Sequence, residues 1–230
     1  MKYFKPSILA GLVALTLNTY AASELPNFEV ALGAGVAKDE PAFNIDLRVN
    51  IPVNQRISWQ INLDSDYIFD DPTFKDYSMS EFNMLGFYRK DDWRLGAGLG
   101  YLEKKSRDDS FEKDTMVVSH LLAAYYWDDL TLDWQFSGYD NDFDRAVSME
   151  TGVLWYPDMI RRIGLYIEEQ ERGTGWRLEG FIQPQKYNQQ LAFGVIVRDG
   201  KGPGFPYLGM EARYYFDRAI KIKDRDRSYH

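Results

Sequence analysis

The chain has 230 residues, 45% hydrophobic and 16% aromatic, with 35 Asp and Glu against 27 Lys and Arg, two His and no Cys. A mean hydropathy of −0.44 excludes a bundle of membrane helices, each of which needs about 20 nearly continuous apolar residues. The missing cysteines exclude disulfide scaffolds, thiol nucleophiles and cysteine zinc sites, and a net charge of −8 disfavours a nucleic-acid partner, which would require a basic surface.

Lys2 and Lys5 open the chain, and the apolar stretch from Ser7 to Leu17 that follows is too short to cross a bilayer comfortably. Thr19-Tyr20-Ala21 then sets small residues at −3 and −1 of a cleavage point, while Asn18, close behind the apolar core, argues against an uncleaved anchor. Residues 1–21 are therefore expected to be a secretory signal peptide, 22–216 the folded body and 217–230 a tail.

From Phe28 onward the hydrophobic period is two. Phe43, Ile45, Leu47, Val49 and Ile51 alternate with Asn44, Asp46, Arg48 and Asn50, which makes a strand with one apolar and one charged face. Ile57 to Leu63, Leu132 to Phe136, Val147 to Trp155, Ile163 to Ile167, Trp176 to Ile182, Leu191 to Val197 and Leu208 to Phe216 repeat the pattern. With Phe28 to Ala37, Tyr77 to Arg89, Trp93 to Leu102 and Met116 to Trp127, the reading is about twelve strands, an even number that returns the chain to its starting side. Met116 to Trp127 and Met159 to Arg172 also tolerate a helical pattern, since periodicity alone does not assign short apolar runs. Pro184 belongs near a strand end or a bulge.

The connections alternate in kind. Lys38 to Pro41, Asp70 to Asp76, Glu103 to Thr115, Asp140 to Arg145, Glu168 to Gly175 and Arg198 to Pro206 are charged and mostly longer. Pro52 to Gln55, Lys90 to Asp92, Asp128-Asp129, Pro157-Asp158 and Tyr187 to Gln190 are tight. Phe87, Tyr88, Tyr125 to Trp127, Trp155, Tyr156, Tyr187 and Tyr214 to Phe216 crowd the tight-turn side, as amphipathic rings do where hydrocarbon meets headgroups.

On these features residues 22–216 resemble the Gram-negative outer-membrane β-barrels, whose final strand typically ends on an aromatic residue read by the barrel-assembly machinery. Leu208-Gly209-Met210-Glu211-Ala212-Arg213-Tyr214-Tyr215-Phe216 has that form, with Phe216 as the assembly signal. Fourteen residues follow it, so the signal is internal here. The resemblance implies an all-β, antiparallel up-and-down barrel in the outer membrane, reached by the secretory pathway, with outer-membrane lipids, lipopolysaccharide and the assembly machinery as partners. It identifies no individual family and no oligomeric state. A periplasmic sandwich or lipocalin-like barrel, with the apolar face pointing inward, is the alternative, but a soluble sandwich rarely needs aromatics concentrated on one rim across so many strands.

With apolar positions toward lipid, the acids facing the lumen are Glu29, Asp46, Asp64, Asp66, Glu81, Asp133, Glu150, Glu168, Glu179 and Glu211, and the bases are Arg48, Arg94, Arg162, Arg177, Arg198 and Arg213. Two readings stay open: a narrow aqueous pore with surplus carboxylate and weak cation preference, porin-like and passive toward small hydrophilic solutes, or a salt-bridged, closed barrel that anchors loops outside and partners inside. Twelve strands lie between the eight that side chains fill and the sixteen or more that leave a channel.

Catalytic signals are weak. Ser119-His120 puts the two side chains on opposite faces, Asp64 and Asp66 lack a partner His-Asp pair, and no spacing marks a nucleophile, so a lipid-modifying or protease barrel is a third reading. Asp140 to Arg145 opens like a calcium loop but has Arg145 where the sixth-position Gly belongs. No cofactor or metal motif appears. Asp217 to His230, charged and poor in apolar residues, reads as a flexible periplasmic extension.

Overall fold

The computed structural model describes residues 26–37, 39–69, 77–106, 114–140, 145–170, 173–200, 206–216 and 220–229. The expected signal peptide and most of the calcium-like loop lie outside the described residues. Twelve strands form: β1 (Asn27–Ala37), β2 (Glu40–Pro52), β3 (Ile57–Ile68), β4 (Tyr77–Lys90), β5 (Trp93–Ser106), β6 (Asp114–Trp127), β7 (Leu130–Asp140), β8 (Arg145–Asp158), β9 (Arg161–Gln170), β10 (Gly173–Ile182), β11 (Leu191–Gly200) and β12 (Tyr207–Tyr215). Each pairs antiparallel with its sequence neighbours, and β1 closes on β12 with Val30 opposite Tyr214 and Leu32 opposite Ala212. Closure removes both sheet edges, so every strand has a partner on each side.

Both segments with helical alternatives are strands, β6 and β9, because the ladders on either side of them leave no unpaired backbone for a helix to satisfy better. Pro184 follows β10 and precedes a single 3-10 turn, Gln185–Tyr187.

The strands run further than the hydrophobic pattern indicates. The connection expected over Glu168 to Gly175 shrinks to residues 171–172, and the first, expected over Lys38 to Pro41, to 38–39. Hydrogen-bonded ladders extend beyond an apolar belt as long as the backbone stays extended, and charged side chains do not end them. On the other side, 91–92, 128–129 and 159–160 are two-residue turns, but 183–190 is among the longest connections. The short-long alternation is therefore looser than the sequence suggests.

The two faces invert the packing of a soluble barrel. Leu99, Leu121, Val153, Leu165, Val195 and Met210 stand exposed on the outside, and Met210 keeps 70% of its surface. Asn27, Gln60, Asn62, Asn83, Arg94, Arg162, Glu168, Glu179 and Glu211 are buried inside. An exposed apolar belt of this extent costs heavily in water and little in hydrocarbon. Even Ser65 and Ser80, on the outer face, hydrogen-bond each other at 3.0 Å. The aromatic girdle divides by the strand period. Tyr88, Tyr125, Trp127, Trp155, Tyr187, Tyr214 and Phe216 are exposed outward, with Tyr88 against Trp93 and Tyr214 edge-on to Phe216. Phe87, Tyr156 and Tyr215 are buried and belong to the interior, a correction to the reading that placed all of them at the interface.

Candidate functional site

The interior is built by side chains that reach across small residues. On β5 the inward positions include Gly96, Gly98 and Gly100, and Gly98 lies opposite His120 of β6. A Cβ on Gly98 would collide with the Met84 carbonyl and Leu85, so this strand leaves a trough that only glycine permits. Across it His120 reaches β4, with Nε2 2.8 Å from Glu81 Oε1, while Nδ1 lies 2.9 Å from Ser137 Oγ of β7. Asn83 Nδ2 donates to Glu81 (2.8 Å), Asn62 Nδ2 to Asn83 Oδ1 (2.7 Å) and Gln60 Nε2 to Asn62 Oδ1 (2.7 Å). One polar chain thus ties β3, β4, β6 and β7 together around the wall.

The opposite wall is ionic. Arg177 Nη2 donates to both Glu150 oxygens at 2.8 and 2.9 Å and stacks 4.1 Å over the Tyr166 ring. Glu168 lies 3.7 Å from both Arg177 and Arg198. Arg162 binds Glu179 at 2.8 Å, and Tyr166 OH donates to the same carboxylate at 2.9 Å. Arg213 pairs with Glu211 and lies 3.7 Å from Glu29, its guanidinium 4.2 Å above Phe181. Elsewhere around the ring Arg94 of β5 faces Asp133 of β7 at 3.9 Å, and Arg48 of β2 faces Glu29 of β1 at 4.0 Å. Aromatic faces under four of these guanidiniums replace part of the hydration that burial removes.

All sixteen residues expected along the lumen occupy inward positions of their strands, Asp46, Arg48, Asp64, Asp133, Glu150, Glu168, Arg177, Glu179, Glu211 and Arg213 among them. They fall into two groups. Asp133, Glu150, Glu168, Glu179 and Glu211 have arginine partners. Asp46 at mid-height of β2, and Asp64 and Asp66 toward the loop end of β3, have no ion pair within 4.0 Å among the described residues, and Asp46 sits directly opposite Asp64 in the register. A run of surplus carboxylate therefore occupies one wall, six strands around the ring from the ionic wall of β8 and β9.

The tight-turn end carries an element that the sequence does not announce. Where a flexible extension is expected, Ile222–Tyr229 forms helix α1 against the barrel mouth. Asp226 accepts from Tyr156 OH (3.0 Å) and Arg162 Nη1 (3.1 Å). Arg225, with 0% exposure, stacks 3.8 Å over Tyr215 of β12. Arg227 Nη2 donates to the Asp128 and Leu130 carbonyls at 2.7 and 2.8 Å, and its guanidinium lies 5.3 Å from the Tyr126 ring of β6. Lys223 pairs with Asp129 at 2.6 Å, and Gln183 Nε2 donates to the Ile220 carbonyl at 2.9 Å. No apolar period announces this helix. Its signal lies in buried partners, Tyr156, Arg162 and Tyr215, which only the closed barrel assembles.

Glu81, His120 and Ser137 contain the residue types of a nucleophilic triad, an arrangement missed from sequence because the three come from β4, β6 and β7. Ser137 is 1% exposed and accepts a hydrogen bond from Gln135 Nε2 (3.2 Å), so its oxygen has no open approach for an acyl carbon. As expected, Ser119 and His120 point to opposite faces: Ser119 is exposed outside, His120 buried inside. Among the described residues no group of three or more His, Cys, Asp or Glu is arranged to hold a metal ion.

No protein-family model and no curated protein matches this chain. Solved structures do. The KdgM porin superposes with a TM-score of 0.59 over 83% of this chain and 99% of the porin, at 10% identity. The KdgM porin in complex with disordered oligogalacturonate gives 0.54 over the same shares, also at 10% identity. An outer membrane channel from Pseudomonas putida F1 gives 0.57 over 86% of this chain and 100% of the channel, at 13% identity. The likeness is one of architecture, and the chain has the closed antiparallel barrel fold of outer-membrane β-barrel porins.

Proposed function

We propose that the chain is exported through the secretory pathway and sits in the outer membrane as a porin-like, passive conduit for small hydrophilic solutes or ions, with weak cation preference. The observation that carries the reading is the carboxylate wall of Asp46, Asp64 and Asp66, without an ion pair among the described residues, inside a barrel whose outside is apolar. Carboxylates in a low-dielectric passage raise the local concentration of cations, and the arginines of the opposite wall keep the preference modest. Reversal potentials in a planar bilayer under a salt gradient test it.

Placement rests on the belt and girdle. The tight-turn end faces the periplasm, the longer connections face outward among lipopolysaccharide, and the assembly machinery reads Phe216. That residue is exposed, and its backbone N–H donates to the Phe28 carbonyl at 3.0 Å, joining it to the closing seam. The protein is expected to fractionate with outer membranes and to run faster on SDS gels unheated than boiled; recovery in the soluble periplasm would refute the placement. Phe216→Ala is expected to impair insertion, and removal of residues 217–230 to leave it nearly intact. Equal loss from both changes would refute an internal signal.

A second reading, a non-conducting barrel that anchors loops or periplasmic partners, draws support from the paired ionic wall and the covered tight-turn mouth. Absence of conductance from every form of the protein would favour it. An enzymatic reading has only the Glu81-His120-Ser137 array to draw on, and the burial of Ser137 counts against it.

A further inference from the structure

Helix α1 is more than a terminal extension lying on the surface. Its contacts reach β12 through Arg225 on Tyr215 and β6 through Arg227 beside Tyr126. In a closed ring of twelve strands these two are six apart in either direction, so the helix lies across the mouth rather than along its rim. Between those ends Asp226 drops into the barrel, where Arg162 and Tyr156 receive it, and Ile222 and Arg225 are fully buried. The helix itself is short and polar, and a segment of eight such residues has little stability of its own in water. Its order comes from the mouth, through contacts that are mostly polar or ionic and therefore exchangeable for water.

We propose that the C-terminal helix is a reversible stopper for the tight-turn mouth of the barrel, latched by Asp226 on Arg162 and Tyr156 and opening the conduit when it leaves. The inference rests on the conduit reading and adds to it a gate carried by the same chain. Arg162 retains its Glu179 partner at 2.8 Å when the helix departs, so release does not strand a buried guanidinium without an acid. Opening is then a shift between two populated arrangements, set by what Asp226 and the mouth gain from each other.

The chain has no cysteine, so an introduced pair is unique. Lys223 N–H donates to the Met159 carbonyl at 3.3 Å, which brings the two backbones within reach of a disulfide. Met159→Cys with Lys223→Cys, in the full chain, therefore tethers the helix in its seat when oxidised and frees it when reduced. Conductance is recorded in planar bilayers for this pair in both states, for Asp226→Asn, and for a chain ending at Phe216, each first shown to be folded by its heat-dependent gel mobility. The stopper predicts a shut oxidised pair that opens on reduction, several-fold more open time for Asp226→Asn than for the unaltered chain, and steady conductance from the shortened chain. If the shortened chain fails to fold, the disulfide pair decides alone. Equal conductance of the oxidised and reduced pair overturns the stopper and leaves the conduit standing. Silence from every form overturns the conduit reading, and the stopper falls with it.

Discussion

The β2–β3 wall of the interior and the tight-turn end of the barrel deal with internal charge in opposite ways. At the tight-turn end each acid has a partner: Glu179 holds Arg162 and Tyr166, Asp226 holds Arg162 and Tyr156, and Asp133 faces Arg94. The Arg162 pairs are dry, and helix α1 lies over the mouth. On β2 and β3, by contrast, Asp46 and Asp64 stand side by side with Asp66 beyond them, and among the described residues no arginine lies within ion-pair distance of them. Carboxylates left that way need water, so the contrast divides a structural region from a wet one. The same residue type has a different task in each, and substitution is expected to separate them.

The largest effect belongs to the dry end. Glu179→Ala removes the acceptor shared by buried Arg162 and Tyr166, leaves Arg162 with Asp226 alone, and is expected to cost about 3 kcal/mol, because a buried charge gives up the nearer of its two acids and a buried hydroxyl gives up its acceptor. Reversible urea unfolding into lipid vesicles measures it, and a loss near zero would mean that the tight-turn end is as wet as β2 and β3. Next comes the glycine trough. Gly98→Val drives a side chain into the Met84 carbonyl and pushes His120 off Glu81, for an expected loss of about 1–3 kcal/mol in the same assay. Smaller again is Ser137→Ala, which removes one hydrogen-bond partner of His120 and is expected to cost about 1 kcal/mol. Ser137 is also expected to resist fluorophosphonate labelling; stoichiometric labelling that the substitution abolishes would revive the enzymatic reading. The smallest stability effect belongs to the wet wall. Asp46→Asn, Asp64→Asn and Asp66→Asn together are expected to change stability by no more than about 0.5 kcal/mol, since no pair is broken, while cation preference falls.

How far the sequence discloses this molecule follows from the same division. The twelve strands and their two faces are legible because an apolar outside and a polar inside impose a period of two, as in Phe43 to Ile51 against Asn44 to Asn50. Which residues point inward follows by parity. Which of them pair does not: Glu81 meets His120 only because β5 presents glycines between their strands, and that depends on register. Tyr156 and Tyr215 show the limit of reading aromatics as a cluster, since strand alternation sends half of any aromatic run into the barrel. The tail was the least legible. Arg218 to Arg227 carries a charge pattern of a solvated segment, and its helix exists because Tyr156, Arg162 and Tyr215, far apart in sequence, form one seat.

The most direct test of the central claim, an interior that passes ions along a carboxylate wall, is the reversal potential of the chain ending at Phe216 across a potassium chloride gradient. Removing the tail takes away five basic side chains and the covered mouth, so the barrel wall alone sets the sign. The expected result is a modest cation preference that weakens as ionic strength rises and the carboxylates are screened, and that largely disappears in the Asp46, Asp64 and Asp66 triple Asn variant. A firm anion preference, or a cation preference untouched by that triple change, would contradict it.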